Sequence, residues 1–180
     1  LWFTAFALMQ FPVGWALDHI GPRRTASVLM GLGGAGGALV FALAQGPMAL
    51  HLSMVLIGMG CSPTLMASYY IFARIYSPKV FGTLAGATVG VGSLGNILGA
   101  APLAWLIGAV GWRETLVGLA GLTLLVSVLI YLLVRDPDRL GGQRSLEGSL
   151  LDVIGIRALW PIMALMLVAY APAAVIRGLW

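Results

Sequence analysis

The chain has 180 residues, of which 60% are hydrophobic and 9% charged, with a formal net charge of +4 and a mean hydropathy of +0.99. Soluble domains carry about 25% charged residues, so this composition cannot cover a water-facing surface and implies an integral membrane protein, which the bilayer-length apolar runs below make all-α and polytopic. The positive charge does not indicate a nucleic-acid partner, because the Lys and Arg residues fall between apolar runs instead of forming a basic face. Cys61 is the single cysteine; it excludes an intrachain disulfide, and no Cys/His set has zinc spacing.

Residues 1–17 are uncharged and read as the later part of a helix already under way at Leu1, as in a fragment of a longer protein. Asp18 is the first charge, and after Arg24 no Asp, Glu, Lys or Arg occurs until Arg74. A charge cluster this compact between long apolar runs reads as a short loop joining two transmembrane helices, with Gly21 ending one and Pro22 starting the next. A second span covers 25–44, a turn lies at Gln45-Gly46-Pro47, and a third span covers 48–72 with Pro63 midway. After the polar Ser77-Pro78-Lys79 comes a fourth span, 82–109, long enough to tilt. Gly111-Trp112-Arg113-Glu114 is another tight turn, 115–134 a fifth span, 135–157 a longer polar connection, and 158–176 the start of a sixth span, its continuation past Trp180 left open. Loops at 18–24, 74–81 and 135–157 hold eight Lys or Arg residues, against Arg113 alone in the alternate loops. The positive-inside rule makes the first set cytoplasmic.

The residues Gly14, Asp18, Gly21, Arg23 and Arg24 form the spacing G-x-x-x-D-x-x-G-x-R-R. It resembles the signature loop between helices 2 and 3 of the major facilitator superfamily of transporters. Two positions depart from the family pattern: His19 stands where a basic residue is usual, and Pro22 where Arg is usual. Gly111-Trp112-Arg113 resembles the family's turn before helix 6. The resemblance implies an incomplete N-terminal bundle at 1–134 (helices 2 to 6, helix 2 truncated), an inter-bundle cytoplasmic loop at 135–157, and the start of the second bundle, helix 7, at 158–180. It also implies a secondary active transporter of a small solute working by alternating access, with a 3+3 internal repeat in the bundle that is not evident from the residues. By the same resemblance, Asp18 engages the second bundle to hold the cytoplasmic side closed, and Gly14 permits close helix contact.

The third span is the most polar, with Ser53, Ser62, Thr64, Ser68, Tyr69 and Tyr70. In the family, helix 4 lines the central cavity, so the resemblance puts this span on the substrate path. Tyr69, Tyr70 and Arg74 lie toward its cytoplasmic end; Arg74 either holds an anionic substrate or snorkels to lipid phosphate. Asn96 is an amide inside the fourth span, which must find a hydrogen-bond partner or line a wet cavity. The segment from Gly95 to Pro102 loosely resembles the family's antiporter motif but lacks Pro directly after the Gly, so antiport does not follow. Arg177 follows nineteen uncharged residues and is either intramembrane on the substrate path or an interfacial anchor. Met54 stands where proton-coupled relatives have Arg, and no acidic residue lies inside any span. His51 is expected at the outer interface and His19 in the loop.

Two segments match G-x-G-x-x-G: Gly31, Gly33 and Gly36, and Gly90, Gly92 and Gly95. Each lies in an uncharged apolar span with no strand before it, so the dinucleotide reading fails. Helix packing explains them better, as does the four-residue recurrence at Gly82, Gly86 and Gly90 and again at Gly95 and Gly99. No catalytic constellation, cofactor or metal set is visible, and no enzyme is expected. A non-transporting receptor or assembly factor on the same scaffold is the main alternative, a membrane-embedded enzyme a weaker one. The expected partners are a small-molecule substrate, with coupling to protons or another ion left open, and the lipid bilayer. Ala, Gly and Arg richness with a single Lys points to a bacterial cytoplasmic (inner) membrane. An organic anion, a sugar and a drug-like molecule all remain open as substrate.

Overall fold

Helix boundaries in this chain are written by Pro and Gly. A computed structural model describes residues 1–137 together with Trp160, Pro161 and Leu165. Helix α1 (Trp2–His19) is followed by α2 (Pro22–Leu29), which runs through a π-helical segment (Met30–Ala35) into α3 (Gly36–Ala42). Then come α4 (Pro47–Cys61), α5 (Pro63–Ile75), α6 (Pro78–Val110) and α7 (Trp112–Leu133). Four of these helices, α2, α4, α5 and α6, have Pro in the first turn, where its missing N–H is not needed and its fixed φ suits a helix. All described elements are helical, and four continuous helical spans are long and apolar enough to cross a membrane: Pro22–Ala42, Pro47–Ile75, Pro78–Val110 and Trp112–Leu133. The chain divides into two units, Leu1–Asp138 and Arg139–Trp180. In the second unit the described residues Trp160, Pro161 and Leu165 are helical; the expected connection beyond Pro137, the seventh helix and Arg177 otherwise lie outside the described residues.

Pro63 interrupts the third span as its chemistry requires. Lacking an N–H, it leaves the Met59 carbonyl four residues back without its helical partner. Ser62 answers: its hydroxyl donates to that carbonyl at 2.7 Å and its backbone N–H at 3.4 Å. In lipid, where water cannot stand in, a freed carbonyl needs such a donor. The π segment is handled similarly. The Gly36 N–H reaches back to the Gly31 and Gly33 carbonyls, and the Ser127 hydroxyl of α7 donates to the Ser27 carbonyl at 2.7 Å just ahead of the segment.

The core is built from small residues. Val13 and Leu17 of α1, Ala26 of α2 and Ala67 of α5 form its buried cluster, with Met9, Leu29, Met66, Tyr70 and Ile130 packed around it. Lipid tails are as apolar as leucine, so helices associate by close packing, and small residues allow it. The closest approach is between the π segment and α4. A Cβ on Gly33 would lie 2.6 Å from the Gly60 nitrogen, and one on Gly37 would lie 2.8 Å from the Ile57 nitrogen. A Cβ on Gly58 would lie 2.7 Å from the Trp2 carbonyl oxygen of α1.

The glycine stripe read as a packing face on the fourth span has no such role among the described residues. A Cβ on Gly82, Gly86, Gly90, Gly95 or Gly99 would meet nothing within 4 Å. Helix α6 has no buried residue among those described. At 33 residues it is roughly 50 Å long, more than a bilayer's hydrocarbon thickness, which tilt accommodates.

A repeat not apparent from hydropathy shows in the turns. Gly21 (φ 102, ψ 156) opens α2 and Gly111 (φ 100, ψ 160) opens α7 with nearly the same backbone. Each is followed by Arg two positions on and Thr four positions on: Gly21, Arg23, Thr25 and Gly111, Arg113, Thr115. Both Thr N–H groups bond the glycine carbonyl at 3.2 Å. The Thr115 hydroxyl also donates to that carbonyl, at 2.6 Å, whereas the buried Thr25 hydroxyl has no hydrogen-bond partner among the described residues.

Candidate functional site: the turn between α1 and α2

The last turn of α1 carries Asp18 and His19. The His19 ring stacks on Trp15, centroids 4.6 Å apart, and its Nδ1 lies 2.9 Å from the Trp15 carbonyl. A carbonyl only accepts, so Nδ1 carries the proton. The chain then reverses at Gly21, whose positive φ with extended ψ is a conformation open essentially to glycine alone. This is not the left-handed helical form expected for a helix end, but it needs glycine for the same steric reason.

Contacts on two sides pin the turn. Asp18 pairs with Arg74 of α5, Oδ1 to guanidinium nitrogen 3.6 Å, and the Arg74 guanidinium lies 4.1 Å over the Tyr70 ring one turn earlier. On the other side, the Arg23 backbone N–H donates to Asp136 Oδ1 at 2.8 Å. The Arg23 Nε–H donates to the Tyr131 carbonyl, and its guanidinium lies 4.4 Å over the Tyr131 ring. The turn, the end of α5 and the end of α7 therefore meet. Residues of the first two charged loops and the described start of the third, 135–137, thus come together at one end of the helices. Arg24 is exposed and its carbonyl accepts from the Ser27 hydroxyl at 3.2 Å.

The expected site residues separate. Arg74, read as a substrate-path candidate, pairs with Asp18 and lies over the ring of Tyr70, another such candidate. Tyr69 turns to α6, edge-on to Phe81 with centroids 6.1 Å apart. Asn96 is exposed on α6, and no described residue hydrogen-bonds its amide. Gly14 is not a point of forced close approach, since a Cβ there would meet only Met66 Cε, at 3.7 Å. Asp136 and Tyr131 are the residues that sequence reasoning misses. Asp136 looks like one loop charge among many, and no spacing ties it to a turn more than a hundred residues earlier. Among the described residues no three His, Cys, Asp or Glu side chains gather as a metal site.

The profile of the family described as Major Facilitator Superfamily matches residues 1–179. The chain belongs to the major facilitator superfamily. It is similar to the Multidrug resistance protein B homolog of Mycobacterium tuberculosis, 33% identical over 178 residues, which is 94% of this chain and 30% of that protein. It is also similar to the Gentisate transporter of Corynebacterium glutamicum, 33% identical over 99 residues, 52% of this chain and 22% of that protein. The Uncharacterized transporter YybO of Bacillus subtilis is 24% identical over 135 residues, 75% of this chain and 31% of that protein. The chain thus spans about a third or less of the length of these relatives. No solved structure matches. Membership of the superfamily, with four spanning helices, makes this an integral, multi-pass membrane protein.

Proposed function

We propose that the chain is part of a secondary transporter that moves a small solute by alternating access, in a bacterial cytoplasmic membrane, with no covalent chemistry of its own. One observation supports this above all: the family's signature turn is present as a built structure, its Asp18 held by Arg74 and its Arg23 held at the end of α7. In this reading α1, α2–α3, α4–α5, α6 and α7 are helices 2 to 6 of the first bundle. The segment 135–157 is the connection to the second bundle, and 158–180 is its first helix.

The Asp18–Arg74 pair gives the turn a role in gating. Asp18 is 62% exposed and Arg74 32% exposed, so the pair is weak, on the order of 0–1 kcal/mol, and exchanges partners at little cost. A carboxylate so placed suits a contact that forms in one transport state and breaks in another. Tyr69, Tyr70, Arg74, Asn96 and Arg177 are the substrate-path candidates, and ion coupling is unassigned. The names of two relatives put drug molecules and gentisate first among the solutes to try.

The test is flux in sealed vesicles holding the full-length protein, with those solutes and a labelled metabolite panel, with and without an imposed proton gradient. Saturable flux of at least one solute is expected. No saturable flux in any arrangement, with correct insertion shown, would contradict the proposal and favour a receptor or assembly role.

A further inference from the structure

We propose that Asp136 is a positioning residue for the signature turn: it caps α2 from outside and ties the chain leaving α7 to the loop between α1 and α2. Helix α2 lacks a side-chain cap of its own, since its N-cap residue is Gly21. A helix start leaves N–H groups that need acceptors, and Asp or Asn oxygens are among the best. Asp136 supplies one, accepting from the Arg23 N–H at 2.8 Å, and its negative charge suits the positive end of the helix dipole.

Gly21 is shaped to admit it. A Cβ at Gly21 would lie 3.0 Å from Asp136 Oδ1, 3.1 Å from its Cγ and 3.2 Å from Oδ2. The carboxylate therefore fills the space that any other residue's side chain would take. The chain reaches this place by leaving α7 in an extended conformation at Val134 (φ −76, ψ 130), and Pro137 biases Asp136 itself toward extended backbone. Arg23 completes the tie through the Tyr131 carbonyl and ring. At Gly111, the matching turn, the carboxylate comes from the same helix: a Cβ there would lie 2.8 Å from Glu114 Oε2. An acid thus lies beside each of the two positive-φ glycines among the described residues, once locally and once from a distant element. That this tie bears on transport rests on the function proposed above; the tie itself does not.

Thr25 reports on it. This threonine is buried at 5% exposure and its hydroxyl has no hydrogen-bond partner among the described residues, so Thr25→Cys breaks no hydrogen bond there. In full-length protein with every native cysteine replaced, Cys61 included, Thr25→Cys is labelled with N-ethylmaleimide in membranes without substrate. Asp136→Ala should raise the labelling rate about fivefold, the factor that loss of a helix cap allows. Asp136→Asn, which keeps an acceptor oxygen, should stay close to the parent. Ser53→Cys, fully buried in α4, should label equally slowly in all three backgrounds. Unchanged labelling of Thr25→Cys in Asp136→Ala, or a matching rise at Ser53→Cys, would overturn the proposal. Because no flux is measured, failure of the transporter reading would leave this result standing.

Discussion

At the scale of single residues, the glycines of the signature turn have different reasons to be glycine. Gly21 adopts a φ of 102 beside the Asp136 carboxylate. Gly21→Ala should therefore destabilise the protein by about 1–3 kcal/mol, read as a lowered thermal midpoint in detergent. Gly14→Ala should be nearly neutral in the same measurement, because the added methyl meets only the flexible end of Met66. The motif spacing named both glycines without separating these roles. Spacing records which residues recur, whereas the separation depends on a backbone angle and on a carboxylate from the far end of the chain. Asp18 was legible as the acid of the signature spacing. Its pairing with Arg74 was not, since the two charges lie at the ends of separate apolar runs.

At the scale of elements, the packing of α2, α3 and α4 turns on which glycines face a backbone. Within the motif Gly31, Gly33, Gly36, a Cβ at Gly33 would collide with the Gly60 and Leu56 backbones at 2.6–2.8 Å. At Gly36 it would meet only the Gly31 carbonyl, at 4.0 Å. Gly33→Ala should cost toward the upper end of about 1–3 kcal/mol for overpacking, lowering both thermal midpoint and monodisperse yield. Gly36→Ala should be neutral or stabilising by up to about 1 kcal/mol. Equal effects would contradict the packing geometry. The helices themselves were readable from uncharged runs bounded by Pro and Gly, and the break at Pro63 from the absence of its N–H. The π segment was not readable, because its glycine-rich sequence fits an ordinary helix equally well. Nor was the choice of packing glycines: Gly82 to Gly99 show the better period, yet the tight contacts fall at Gly33, Gly37, Gly58 and Gly60. Period says which residues share a face, not whether a partner lies against it.

At the scale of the whole molecule, one end of the bundle gathers the turn, the end of α5 and the end of α7, while most large apolar side chains of α6 and α7 face outward. A membrane helix bundle joined by weak exposed pairs at one end can rearrange there without losing its packed core. That division of labour is the central claim, and Asp18→Asn tests it most directly. In vesicles of the full-length protein, with the solute that shows saturable flux, the variant should insert normally and keep its thermal midpoint within about 1 kcal/mol of stability, as expected for an exposed pair. Its transport rate should fall by about fivefold or more, the factor that corresponds to a coupling of about 1 kcal/mol between states. Wild-type flux in a normally inserted Asp18→Asn protein would contradict the account.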